Sequence, residues 1–97
     1  RSMSDFGATY DEMTGTADKL DQGKDTIESA LDECQGYVDE LVQDGFKTEK
    51  ASGKFQDGYT EMTTGLKDAI AGVEDMAQAL RDMATAIQDL DSQLAGG

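Results

Sequence analysis

Carboxylates are the one reactive group this chain holds in quantity: 21 Asp and Glu against 8 Lys and Arg, a formal net charge of −13. Paired carboxylates can act as general acid and base, but only where a pocket sets their protonation states apart. On an open helical face they have no such pocket. Histidine is absent, which removes the imidazole base, the Glu-x-x-His di-iron set and the common zinc sites. Cys34 is the single cysteine, so it has no partner for an intrachain disulfide and no companions for a metal. Its neighbours are Asp32 and Glu33, not the cations a reactive thiol needs. The stretch Asp18-Lys19-Leu20-Asp21-Gln22-Gly23 is a faint calcium-loop lookalike, but the alternating acid spacing and the terminal Glu are missing. No glycine-rich loop of a recognised phosphate-binding form is present. The expectation is a protein with no catalytic site, no metal and no cofactor.

The same acidity speaks about partners. A strong negative field repels nucleic acid and anionic lipid. Nucleic-acid binding is excluded on that ground, and membrane interaction is disfavoured at neutral pH. A membrane-active protein that opens to show its methionines would need low pH to reduce the charge. No apolar run approaches the ~20 residues of a membrane span. Arg1 and Ser2 precede Met3 and read as a cloning scar, and no basic-then-apolar leader follows Met3. The chain is therefore expected in the cytoplasm, or exported by a route without a cleaved leader.

What must position these side chains is a strict 4-3 apolar rhythm. It runs Phe55, Tyr59, Met62, Leu66, Ala69, Val73, Met76, Leu80, Met83, Ile87, Leu90, Leu94. An earlier run reads Phe6, Tyr10, Met13, Ala17, Leu20, Lys24, Ile27, Leu31, Cys34, Val38, Leu41, broken only at Lys24. Steps of 4 and 3 give the period of a helix whose seam faces another helix. Disordered acidic chains lack such a seam. The reading is all-α: a first helix over about 4–43 with Ser4 as N-cap, a turn over 44–48, and a second helix over about 49–94. Asp44-Gly45 supplies the stop. Thr48 is the N-cap of the second helix, with Ser52 as another candidate. So short a turn makes the helices antiparallel neighbours, a hairpin in one domain over 3–97.

Flanking positions predict company. With Tyr10 and Tyr59 at heptad position a, position g of the second helix holds Gly58, Gly65, Gly72, Ala79 and Ala86, and position e holds Thr63, Ile70, Ala77, Ala84 and Asp91. That apolar or small strip is wider than one neighbouring helix covers. A glycine inside a helix costs ~1 kcal/mol relative to Ala, so three at heptad spacing suggest a close-packed edge, the alternative being small residues tolerated at an exposed flank. The acids at b and c read as a solvated outer face, with a cation-binding or docking surface as the alternative that nothing in their spacing singles out. Pairing two hairpins into a four-helix-bundle dimer would cover the strip. The residues expected at helix-packing and dimer contacts are Leu20, Lys24, Ile27, Leu31, Cys34, Val38, Gly58, Gly65, Leu66, Gly72, Val73, Met76, Leu80 and Met83. Cys34, on the seam, is expected to be buried like a small apolar residue. Lys24 at position a either fixes register and partner or snorkels out to solvent.

Around the turn the sequence reads Asp44-Gly45-Phe46-Lys47-Thr48-Glu49-Lys50-Ala51-Ser52-Gly53-Lys54-Phe55. This resembles the WXG family of small ESX-type proteins, substrates of type VII secretion systems. Ala51-x-x-x-Phe55 matches the second part of the family's turn motif, with Gly53 inside it. Phe46-x-Thr48 stands where Trp-x-Gly would be. The resemblance implies an antiparallel four-helix-bundle dimer, exported folded and without a cleaved leader. It also implies a secretion ATPase that reads a C-terminal Tyr-x-x-x-Asp/Glu element. Tyr10, Tyr37 and Tyr59 are followed four residues on by Thr14, Leu41 and Thr63, so that element is missing. This makes the chain the signal-less member of a heterodimer, engaging the ATPase only indirectly through a tailed WXG partner. A homodimer stays open. Phe46 and Phe55 would cap the bundle end or touch the secretion machinery. The rival reading is a cytoplasmic coiled-coil adaptor.

Overall fold

The structure is a computed structural model that describes the backbone of residues 3–44 and 48–96, with side chains for 8–44 and 48–94. Helix α1 spans Met3–Asp44 and α2 spans Glu49–Gly96. The architecture is the expected all-α helix-turn-helix hairpin. Phe46 of the turn motif lies outside the described residues, as does Phe6 of the first seam as far as its side chain is concerned.

The helix ends follow from local chemistry. α1 begins one residue before the expected N-cap, so Ser4 falls inside the helix. Thr48 directly precedes α2, and its carbonyl accepts from the Ser52 N–H at 3.0 Å, closing the first turn. Glu49 in that turn places a negative charge at the positive end of the helix dipole. Ser52 is not a cap. It sits one turn inside α2, buried at 6% exposure, and its Oγ donates to the Glu49 carbonyl at 3.0 Å. Bonding back to the preceding turn satisfies a buried hydroxyl without ending the helix.

The chain forms two compact units. In the unit Lys24–Ala71, Gln56 Nε2 of α2 donates to Asp39 Oδ1 of α1 at 3.0 Å, and Lys67 Nζ to Asp32 Oδ1 at 2.5 Å. The later residue of α2 meets the earlier residue of α1, so these segments run antiparallel. Ser52 and Thr63 are buried between them, and Leu31, Gln35, Val38, Val42, Gln56, Tyr59, Lys67 and Ile70 are half-buried. In the unit Arg1–Gly23 with Gly72–Gly97, Ala17, Ala77 and Ala84 are fully buried. Arg81 reaches from α2 to Asp18 at 2.9 Å and Asp21 at 2.6 Å on α1.

In both units the seam runs along heptad positions a and e, with b at its flank. The physical reason is size: Ala, Ser and Thr at these positions allow close approach of two backbones. The result is a thin core. Among the described residues no large side chain is fully buried. A buried methylene is worth ~0.8 kcal/mol and a fully buried Leu or Met ~1.5–3 kcal/mol, so part of the apolar free energy available to this sequence is not realised inside the chain.

Candidate interaction surface

The unrealised part stands on the outside. In the unit Lys24–Ala71, the d positions Ile27, Cys34 and Leu41 of α1 and Phe55 and Met62 of α2 are exposed, with Tyr37 and Leu66 beside them. Met62 keeps 50% of its surface in solvent. Gly58 and Gly65 lie on the same side of α2, and a Cβ built on either meets nothing within 4 Å. The close packing expected at these glycines is therefore not made within the chain.

Cys34 corrects one expectation. It is exposed, not buried, because the hairpin closes on a and e and turns d outward. Its thiol lies next to the Tyr59 hydroxyl. Burial, followed by the hydrogen bond and charge of Cys34, pushes the Tyr59 phenol above its ordinary range. Tyr59 also packs its ring against Phe55 at 6.4 Å between centroids, tilted by 37°. On the other side of the thiol, Tyr37 donates its hydroxyl to Glu33 Oε1 at 2.5 Å, and that bond raises its pKa.

In the unit Arg1–Gly23 with Gly72–Gly97, α2 shows the same division, while Met13 and Leu20 at d of α1 are half-buried. Met76 and Met83 are 64% and 56% exposed, and Leu90 and Leu94 are exposed too. Gly72 is exposed, and a Cβ there would meet open space. Leu20, Val73 and Leu80 are half-buried toward the seam. Thus the residues named from the sequence as one packing set divide between an inner row and an outer row. Inside or half-inside are Leu20, Lys24, Leu31, Val38, Val73 and Leu80. Outside are Ile27, Cys34, Gly58, Gly65, Leu66, Gly72, Met76 and Met83.

Lys24 belongs to the inner row. Its side chain is 18% exposed and its Nζ lies 2.8 Å from Glu28 Oε1, one turn along α1. In the turn motif, Thr48 and Ala51 are exposed, Gly53 is half-buried and Phe55 is 46% exposed.

One polar groove lies between the helices of the unit Lys24–Ala71, about 430 Å³ in volume, lined by Asp32, Gln35, Asp39, Gln56, Thr60, Thr63, Thr64 and Lys67. Its groups largely satisfy one another. Asp39 accepts from Gln56 and also from Gln35 at 3.0 Å. These two amides, Gln56 first, hold its carboxyl below the usual range. Lys67 is taken by Asp32. Thr63 Oγ1 is buried without a hydrogen-bond partner. The arrangement fastens two helices together and offers no nucleophile beside a base.

These cross-helix links went unread in the sequence. Position b of α1 is a row of Asp11, Asp18, Asp25, Asp32 and Asp39, expected as plain solvated face. Asp18, Asp32 and Asp39 instead receive Arg81, Lys67 and Gln56 from α2. The available signal was that Lys67 and Arg81, the only cations of α2 after Phe55, both stand at b, next to the seam.

Among the described residues no helix is long and apolar enough to cross a membrane, and no group of acids and Cys34 is placed to hold a metal ion. No curated protein and no solved structure matches the chain. Residues 5–92 match the family model described as proteins of 100 residues with WXG, and the chain belongs to that family of small helical proteins associated with type VII secretion.

Proposed function

We propose that this chain is a non-enzymatic protein exported by a type VII secretion system as one half of a folded dimer. It leaves without a cleaved signal peptide and resides in the cytoplasm beforehand. Residues 3–97 act as one exported domain. In this reading it is the signal-less member of a heterodimer with a related WXG protein. That partner carries the Tyr-x-x-x-Asp/Glu element, and the secretion ATPase is engaged through it. The dimer is a four-helix bundle.

The observation that carries the reading is the split between a seam of small residues and an exposed row of large ones. Ala17, Ala77 and Ala84 are fully buried while Met62, Met76, Met83 and Leu90 are exposed. Covering such a row against a second helical hairpin is the natural way to remove it from water. Family membership supports export, since WXG proteins are secreted by type VII systems and generally form dimers.

Fractionation of the source culture tests it. The chain is expected in the medium when the secretion locus is active, and inside the cell when the tailed partner is deleted. Strictly intracellular protein with an active locus would overturn export and favour a cytoplasmic coiled-coil adaptor. Co-expression with the neighbouring WXG gene product is expected to give a co-purifying pair. A stable monomer in its presence would defeat the pairing.

A further inference from the structure

After Phe55 the cations and most of the acids of α2 lie on different sides of the helix. Its only cations there are Lys67 and Arg81, and both are spent on the chain's own α1, on Asp32 and on Asp18 and Asp21. Beyond Phe55 the outward side has none; Lys54, exposed at position c, is the cation that precedes it. In the segment Gly72–Gly97, heptad position d holds Met76, Met83 and Leu90, position g holds Gly72, Ala79 and Ala86, and position c, just beyond g, holds Asp75, Asp82 and Asp89. All three acids and all three large residues are exposed. The segment of α2 in the unit Lys24–Ala71 repeats the pattern by itself, with Met62 at d, Gly58 and Gly65 at g, and Glu61 and Asp68 at c. In each unit the open apolar row of α2 beyond Phe55 is thus edged on one side by carboxylates at heptad spacing.

From this we infer that the partner covering the open face of α2 is a helical chain whose rim is basic, and that a second copy of this chain is a poor occupant. The inference rests on the pairing reading above and names the chemistry of the partner. A helix laid over Met76 and Met83 must bring its flanking residues against Asp75, Asp82 and Asp89. Lysines or arginines there gain, and like charges lose. A second copy has less to offer. It carries the same −13 charge, its Lys24, Lys67 and Arg81 are already bonded to its own acids, and its exposed Lys19, Lys50 and Lys54 all lie outside Gly72–Gly97. The glycines at g, with open space above them, let such a partner's backbone come close.

The test uses the full chain and two charge variants of it. D75K/D82K/D89K makes a copy with a basic rim. D11K/D25K/D57K has the same net charge, but its changes lie at b and f, off the rim. Wild type is mixed with each variant at low salt, and the species are read by native mass spectrometry and sedimentation. Wild type is expected to pair with the rim variant roughly tenfold or more tightly than with itself. The preference should collapse at high salt and be absent with the off-rim variant. Statistical mixing of wild type with the rim variant would overturn the inference, as would equal preference for the off-rim variant, which would reduce it to net charge. A tight, salt-insensitive wild-type homodimer would also overturn it, yet leave pairing and export standing. No complex in any mixture would overturn it too, and only that outcome also counts against pairing. Circular dichroism of each variant alone shows that it is folded before mixing.

Discussion

At the scale of single residues, two buried polar atoms among the described residues lack a hydrogen-bond partner, Thr63 Oγ1 and Asp91 Oδ1. Thr63 is 6% exposed and its hydroxyl has no partner. Leaving a buried hydroxyl unsatisfied costs ~1–3 kcal/mol. Thr63→Val keeps the β-branched shape and removes the penalty, so the variant should be more stable by about 1 kcal/mol, read as a rise in the urea midpoint at unchanged slope. Asp39 makes a different point. Its carboxyl is held below the ordinary range by Gln56 across the seam and by Gln35 along α1. A depressed folded pKa means a contribution to stability that is present above the unfolded pKa and lost as pH falls through the folded one. Gln56→Ala should move the Asp39 carboxyl midpoint upward toward the normal carboxylate range, as followed by carbon-detected NMR titration. An unmoved midpoint would mean that Gln56 contributes nothing to it.

Between helices, the question is which side of a heptad faces inward. The 4-3 rhythm gave both helices and their pairing, because apolar residues at a and d define a helical seam whatever lies opposite. It could not say that d of α2 would turn out, since Met83 at d and Leu80 at a look equally fit to be buried. The decisive cues were small: Ala17, Ala77, Ala84 and Thr63 at a and e, and cations at b facing the aspartates of α1. Those are legible only once two helices are set side by side. Cys34 is exposed for the same reason, as a d residue of the unit Lys24–Ala71. A substitution pair separates the two sides. Ala84→Leu forces a large side chain into a fully buried slot and should cost about 1–3 kcal/mol in the dilute chain. Met83→Ala, one residue away and 56% exposed, should stay within about 0.5 kcal/mol. Comparable losses at both positions would place Met83 in a core this seam does not have. Gly65→Ala adds the complementary case. A Cβ there meets open space, so the dilute chain should gain about 0.5–1 kcal/mol from the better helix former. A loss instead would show that the glycine is already packed against something in the single chain.

For the molecule as a whole, a thin seam and a high negative charge make stability a property of the pair. The single chain buries Ala, Ser and Thr and leaves Met76, Met83 and Leu90 in water, so its own unfolding free energy should sit at the low end for a domain of this size. Anything that binds the folded hairpin and not the unfolded chain adds stability by mass action, about 2.7 kcal/mol when its free concentration is a hundred times its Kd. A second wild-type copy and a basic-rimmed copy should therefore differ in a simple melt. Wild type alone at low salt should show a Tm that barely moves over a roughly hundredfold range of concentration, because like-charged rims hold copies apart. Adding D75K/D82K/D89K in excess should raise that Tm by several degrees, more at higher excess, and high salt should erase most of the gain. The sign carries the argument. Ordinary homodimer formation would make the wild-type Tm climb with its own concentration, and screening by salt would steepen that climb at low concentration without needing any variant. A concentration-dependent Tm at low salt, unaffected by the rim variant, would mean that Met76, Met83 and Leu90 are covered by another copy of the same chain and that the carboxylate row beside them is only a solvated edge.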